Sequence, residues 1–90
     1  MEFEWDQTKE TANFRKHGVL FSDAAVSLLD PLALTGSDPD ACGEQRLMCL
    51  GRDLSGRLLV TVFTPRGDAI RIISSRKASR AERIGYEGGA

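Results

Sequence analysis

One side chain in this 90-residue sequence titrates near neutrality in its unperturbed form, and that is His17. It is the natural single candidate for moving a proton at physiological pH, as acid or as base. The second group that could do chemistry is a run of cations. Residues 57–83 hold Arg57, Arg66, Arg71, Arg76, Lys77, Arg80 and Arg83 against only Asp68 and Glu82, a balance of +5, whereas residues 1–56 hold 5 basic and 10 acidic side chains. The whole chain carries −1, so the asymmetry is more informative than the sum. All but one of those seven are arginine, whose planar fork of donors suits phosphate oxygens and carboxylates. An anionic partner is one reading of the run: RNA, DNA or an acidic protein segment. A solvated basic face is the other.

Several chemistries are closed off. Cys42 and Cys49 with a single histidine are too few ligands, at unsuitable spacing, for a Cys/His zinc site. They read as ordinary thiols, Cys49 in a strand and Cys42 in a loop, and a reducing compartment disfavours a disulfide between them. Ser74, Ser75 and Ser79 have no second histidine to organise a triad. There is no P-loop, no Gly-x-Ser-x-Gly and no dinucleotide fingerprint. No metal or other cofactor is implied. With 41% hydrophobic and 28% charged residues, the chain has the composition of one folded globular domain spanning 1–90. Its longest apolar stretch, Leu58–Phe63, is far too short to span a bilayer, and the first residues are acidic where a secretory leader would be basic. A cytoplasmic protein is expected.

The elements that must position these groups follow from capping and periodicity. Phe3 and Trp5 alternate with acidic neighbours as a short strand, with Trp5 a core residue. Asp6 caps a helix through His17, and Gly18 ends it. Lys9, Asn13, Lys16 and His17 fall within about 100° on that helix, a polar and partly basic face. Ser22 is the expected cap of a second helix through Asp30, with Ala24, Ala25, Leu28 and Leu29 as its buried stripe. Leu32–Thr35 reads as a strand and residues 36–44 as a loop. Gln45 onward is β: Leu47–Leu50, a turn at 53–56, Arg57–Thr64, a turn at 65–68, then Ala69–Ser75. On that last strand simple alternation puts Arg71 with Ala69, Ile73 and Ser75. Arg71 and Arg76 then have opposite parity and share a face only if a twist or the strand end intervenes at Ser75. Ser79 and Glu82 have capping-box spacing for a short helix to about Tyr86. The fold class is α+β in the order β-α-α-β-β-β-β-α, two N-terminal helices and a short C-terminal helix packed on one side of a small antiparallel sheet.

These residues carry a resemblance. Phe3-Glu4-Trp5-Asp6, Lys9, Asn13, Lys16-His17-Gly18-Val19, Phe21, Ala24-Ala25 and Asp30-Pro31 are similar, in order and spacing, to the first half of BrnT proteins. The second half continues it with Glu44, Arg46, Gly51, Arg66-Gly67-Asp68, Ile70-Arg71-Ile72-Ile73-Ser74, Arg76-Lys77-Ala78, Glu82-Arg83 and Tyr86-Glu87. BrnT proteins are toxins of type II toxin–antitoxin pairs with a RelE/ParE-like fold. The resemblance implies a metal-independent endoribonuclease, silenced by a BrnA-type antitoxin with a ribbon-helix-helix domain, which meets operator DNA only through that complex. Two positions depart from the pattern. Pro65 stands where an acidic residue is expected, and Ile84-Gly85 interrupts a basic run.

Metal-free RNA cleavage by the substrate's own 2′-hydroxyl needs a base at that hydroxyl, cations around the phosphorus and an acid for the leaving 5′-oxygen. His17, at a helix C-terminus where the dipole favours positive charge, suits the acid, though it could equally serve as a capping residue. Arg66, Arg71 and Arg76 are the phosphate-binding candidates, with Lys9 and Lys77 behind them. Lys16, Arg80, Arg83 and Tyr86 complete the expected RNA-binding set. A different class of function uses the same face without catalysis: an interaction module that binds an acidic antitoxin segment and acts as co-repressor. Direct DNA binding by this chain is a third and weaker reading, because no helix-turn-helix with a basic recognition helix emerges and the first half is acidic.

Overall fold

Strand β1 (Glu2–Glu4) leads into helix α1 (Gln7–His17) and helix α2 (Phe21–Ser27). Four strands follow, β2 (Leu34–Ser37), β3 (Leu47–Arg52), β4 (Leu58–Arg66) and β5 (Ala69–Lys77), before helix α3 (Arg80–Glu87). This computed structural model describes residues 1–41 and 45–88, so the readings that fall on Cys42 and Glu44 lie outside the described residues. The order is the expected α+β order, and the sheet runs β1-β5-β4-β3-β2. Strands β2 to β5 form the antiparallel meander, while β1 joins β5 in parallel through Glu2–Ala69, Phe3–Ile70 and Glu4–Arg71. A parallel pair needs a crossover, and here the crossover is nearly the whole chain. Three residue pairs therefore close the N-terminal end against the last strand.

Helix α1 is built as its sequence dictates. Asp6 Oδ1 accepts the Thr8 and Lys9 amides at 2.7 and 3.3 Å, and Gly18 ends the helix at φ 71°. Helix α2 departs from expectation at both ends. It begins at Phe21, and the cap is not Ser22: Glu10 of α1 accepts the Phe21 amide at 2.8 Å. It stops at Ser27, whose hydroxyl donates back to the Ala24 carbonyl at 2.6 Å. Gly51 of β3 lies so close that a Cβ there would collide with the Ser27 carbonyl. With the helix ended early, Leu29 leaves the buried stripe and is 59% exposed. Asp30 accepts the Leu32 and Arg52 amides, both at 2.9 Å, and turns the chain toward β3. Strand β2 then runs to Ser37, two residues into the expected loop.

Both N-terminal helices cover one face of the sheet. Phe21, Ala24, Ala25 and Ile72 form the core there, with Phe3, Trp5 and Leu28 against it, and the Trp5 ring meets Phe21 edge-on at 6.2 Å. A single extra residue in β5 decides what occupies the other face. Val62 pairs with Ser74 but Phe63 pairs with Ile72, so Ile73 is bulged out and the alternation reverses there. Ile72 and Ser75, opposite Phe63 and Thr61, both face the helices; Arg71 and Arg76, opposite Thr64 and Val60, share the far face. The simple alternation that joined Arg71 with Ser75 and separated it from Arg76 is overturned by that bulge. Helix α3 docks on this far face, through Arg76 and Arg52, instead of joining the other helices. Among the described residues, no helix is long and apolar enough to cross a membrane.

Candidate functional site

Strand β1 covers β5 only as far as Arg71, and past that point the outer edge of β5 needs another partner. Asn13 supplies it. Its Nδ2 donates to the Ser75 carbonyl at 2.9 Å and its Oδ1 accepts the Ser75 amide at 3.0 Å, the pair of bonds a neighbouring strand would make. A further Nδ2 bond reaches the Val19 carbonyl at 3.0 Å. The Lys9–Asn13–Lys16–His17 face of α1 is therefore not a plain solvated face. Its centre, Asn13, is buried against the arginine-bearing strand, with exposed Lys9 and Lys16 and half-buried His17 on either side.

Three contacts fix the direction of α1 along that edge. Asp6 lies beside Arg71: the Lys9 and Thr8 amides, and then the Arg71 and Lys9 charges, hold its carboxyl below the ordinary carboxylate range. Asn13 meets Ser75, and the Gly18 carbonyl accepts from Arg57, the residue before β4, at 3.2 Å. The helix thus runs parallel to β5. A rise of about 1.5 Å per helical residue puts His17 roughly 16 Å beyond Asp6. At about 3.3 Å per strand residue, Lys77 is roughly 20 Å beyond Arg71. The expected site residues divide between the two ends of one seam. Arg66, Arg71 and Lys9 gather at one end, while Lys16, His17 and Lys77 lie at the other. His17 is not brought to Arg66 and Arg71.

At the first end, Arg66 Nε and Arg71 Nη1 each stand 3.8 Å from the same oxygen, Glu4 Oε1. That is well beyond the 2.7–2.9 Å of a strong charge-assisted hydrogen bond, so two guanidiniums converge on one loosely held anionic position. Pro65 does not disturb this. It pairs with Ile70 past the end of β3, whose first residue Leu47 lies opposite Phe63, and a proline is tolerated where a ladder has one neighbour. Gly67, at φ 60°, makes the turn that returns the chain to Ala69.

The far-face cations nearer α3 are held quite differently. Arg76 grips Glu82 with two nitrogens at 2.8 and 2.9 Å, and that pair pulls the Glu82 carboxyl from 4.5 to about 2. Glu82 also accepts the Ser79 amide at 2.7 Å while Ser79 Oγ accepts the Glu82 amide at 3.2 Å, completing the expected capping box. Tyr86 donates to Asp30 at 2.6 Å and carries the Arg52 guanidinium 5.1 Å over its ring, so its hydroxyl is engaged and one face of the ring is covered. Glu87 holds Arg52 at 2.7 Å and stands 3.7 Å from Arg83. Arg80 is exposed at the start of the helix. Arg57 belongs to neither set: Asp53 at 2.8 Å, Asp23 at 3.3 Å and the Gly18 carbonyl use its donors to clip the β3–β4 turn to the N-terminal helices. Gly85 faces open space and leaves these α3 contacts, which latch the helix to the far face, intact.

Asn13 and Glu4 were not singled out as site groups by sequence reasoning. Asn13 carried one signal, an asparagine in a helix interior, where its side chain competes with the helical backbone unless it has a partner elsewhere. Glu4 gave none, since its pairing depends on the parallel junction of β1 and β5. Cys49 is a buried free thiol, its acidity weakened first by burial. Among the described residues, no three His, Cys, Asp or Glu side chains are grouped to hold a metal ion.

The family model of the ribonuclease toxin BrnT of type II toxin–antitoxin systems matches residues 5–82. The chain belongs to the BrnT family. A 1.1 Å crystal structure of the Brucella abortus ribonuclease toxin, BrnT, is similar in fold, with a TM-score of 0.69 and 30% identity over 89% of this chain and 99% of that one. No curated protein matches the chain. The BrnT match takes in the whole α1–β5 seam and the Arg76–Glu82 pair, whereas Arg83 and Tyr86 fall beyond it.

Proposed function

We propose that this BrnT toxin cuts cellular RNA without a metal, in the cytoplasm, with the strand lying along the α1–β5 seam. The observation that carries the reading is a set of loosely held cations: Arg66 and Arg71 meet Glu4 at no closer than 3.8 Å, and Lys9 and Lys16 are exposed on the face of α1 that Asn13 fixes against β5. A phosphate offers those two guanidiniums shorter, charge-assisted bonds than Glu4 does, so they and Lys9 hold the backbone at one end. Chemistry belongs to the other end. There the substrate's 2′-oxygen bonds to phosphorus as the bond to the 5′-oxygen breaks; the hydroxyl proton leaves to a base, and His17 gives a proton to the 5′-oxygen. Lys77 and Lys16 offset the charge growing on the phosphate, while Arg76, gripped by Glu82, serves the fold and not the substrate. Arg80 and Arg83 are peripheral contacts for the emerging strand, whereas Tyr86, tied to Asp30 and Arg52, serves the fold.

A BrnA-type antitoxin with a ribbon-helix-helix domain silences the enzyme by laying acidic groups over Arg66 and Arg71, and operator DNA is met only through that complex. The test is incubation of antitoxin-free protein with a defined single-stranded RNA in EDTA. Fragments ending in a 5′-hydroxyl and a 2′,3′-cyclic phosphate are expected, and a folded His17→Ala variant should produce them at least about a hundredfold more slowly. Intact RNA across several sequences would leave antitoxin binding and co-repression as the role of the same cations.

A further inference from the structure

We infer that Asn13 is a positioning residue for the RNA site, indexing the cationic face of α1 to the arginine-bearing strand; this rests on the function proposed above. Asn13 is 7% exposed, and besides one bond to the Val19 carbonyl it pairs its carboxamide at two points with the backbone of Ser75, where β1 has already ended. Lys9 lies one turn before it, and Lys16 and His17 one turn after, on the same helical face. A helix held by apolar contacts alone can slide or roll by a fraction of a turn at little cost, because dispersion contacts are not directional. A two-point amide pair cannot, since both bonds require one register and one roll angle.

The anchor is itself braced. Ser75 Oγ is 2.9 Å from Thr61 Oγ1, which lies 3.4 Å from Ser27 Oγ on α2, so a buried polar line crosses the sheet beneath the seam. The same bulge at Ile73 that sends Arg76 to the far face is what turns Ser75 toward α1. One local irregularity thereby sets both where the arginines point and where the helix is pinned. Asn13 touches no substrate in this arrangement; it acts through Lys9, Lys16 and His17.

The test is a double-mutant cycle on RNA affinity with Lys9→Ala, Asn13→Ala and the combined variant, alongside amide exchange at Ser75. In the parent, Lys9→Ala is expected to weaken RNA binding on the order of fivefold, and in the Asn13→Ala background by less than about twofold, a coupling of the size seen between residues that act together. The Ser75 amide, slow to exchange in the parent, should exchange fast in Asn13→Ala. A merely structural asparagine would lower stability and leave the cost of Lys9→Ala the same in both backgrounds, and that additivity would overturn the inference. If Asn13→Ala does not fold, Asn13→Asp, which keeps the acceptor for the Ser75 amide, takes its place with the same criterion. If the parent binds no RNA, the proposed function fails and the positioning role with it, whereas a changed Ser75 exchange rate would then record a structural tie alone.

Discussion

The α1–β5 seam and the α3 latch both take arginines from the basic segment 57–83, Arg66 and Arg71 in one and Arg76 in the other, yet they treat them in opposite ways. In the latch, Arg76 and Arg52 meet carboxylates at 2.7–2.9 Å, each with further bonds that leave little freedom. In the seam, Arg66 and Arg71 share a single Glu4 oxygen at 3.8 Å, and Lys9 and Lys16 are exposed. A guanidinium already satisfied by a carboxylate must give up strong bonds to take a phosphate, while one with a long contact gives up little. The difference separates arginines that hold the fold together from arginines that are available to a ligand.

The comparison breaks most visibly if the seam arginines prove structural. Arg66→Ala and Arg71→Ala together should lower RNA affinity by about tenfold or more and flatten the salt dependence of binding by about 0.7 per lost phosphate contact. The position of α3 should not change, which its backbone amide shifts would report. A smaller effect belongs to the latch. Ser79→Ala removes a helix cap and should cost about 1 kcal/mol of stability in a denaturant titration, with RNA affinity unchanged.

The smallest effect is the pH response of the latch. Glu82 is depressed to about 2 in the folded chain from an ordinary 4.5, so its contribution is fully present above about 4.5 and is lost as pH falls from there toward 2. Tyr86 moves the other way: its bond to Asp30 raises the phenol above 10, so that contribution is present below 10 and lost as pH rises past the raised value. Amide chemical shifts of α3 followed across this range should move at both extremes, and Glu82→Gln should shrink the acid limb to the part contributed by Asp30, which Tyr86 also holds below the ordinary carboxylate range, while leaving the alkaline limb intact.

How much of this was legible in the sequence depends on the range of the interaction involved. Both ends of α1 and the capping box of α3 were readable because Asp6, Gly18, Ser79 and Glu82 act within a few residues. The start of α2 was not, because its capping carboxylate comes from Glu10 on another helix. Arg71 and Arg76 could be named as cations, but their common face depends on Ile73 being skipped in the ladder, and nothing in Ile-Ile-Ser-Ser announces a bulge. His17 could be named as the proton carrier. Its separation from Arg71 follows from the parallel run of α1 along β5, which no spacing reveals. Tyr86 could be named as an RNA-binding candidate, but its hydroxyl is committed to Asp30 and one face of its ring to Arg52.

The central claim is that one end of the seam holds RNA and the other does the chemistry, and single-turnover cleavage with rising RNA concentration tests it most directly. Arg71→Ala should need more RNA but approach the parent rate at saturation. His17→Ala should bind RNA within about twofold of the parent and cleave at least about a hundredfold more slowly at every concentration, the scale of losing a general acid. A His17→Ala variant that cleaves at the parent rate, or an Arg71→Ala variant whose saturated rate collapses while its affinity holds, would contradict that division.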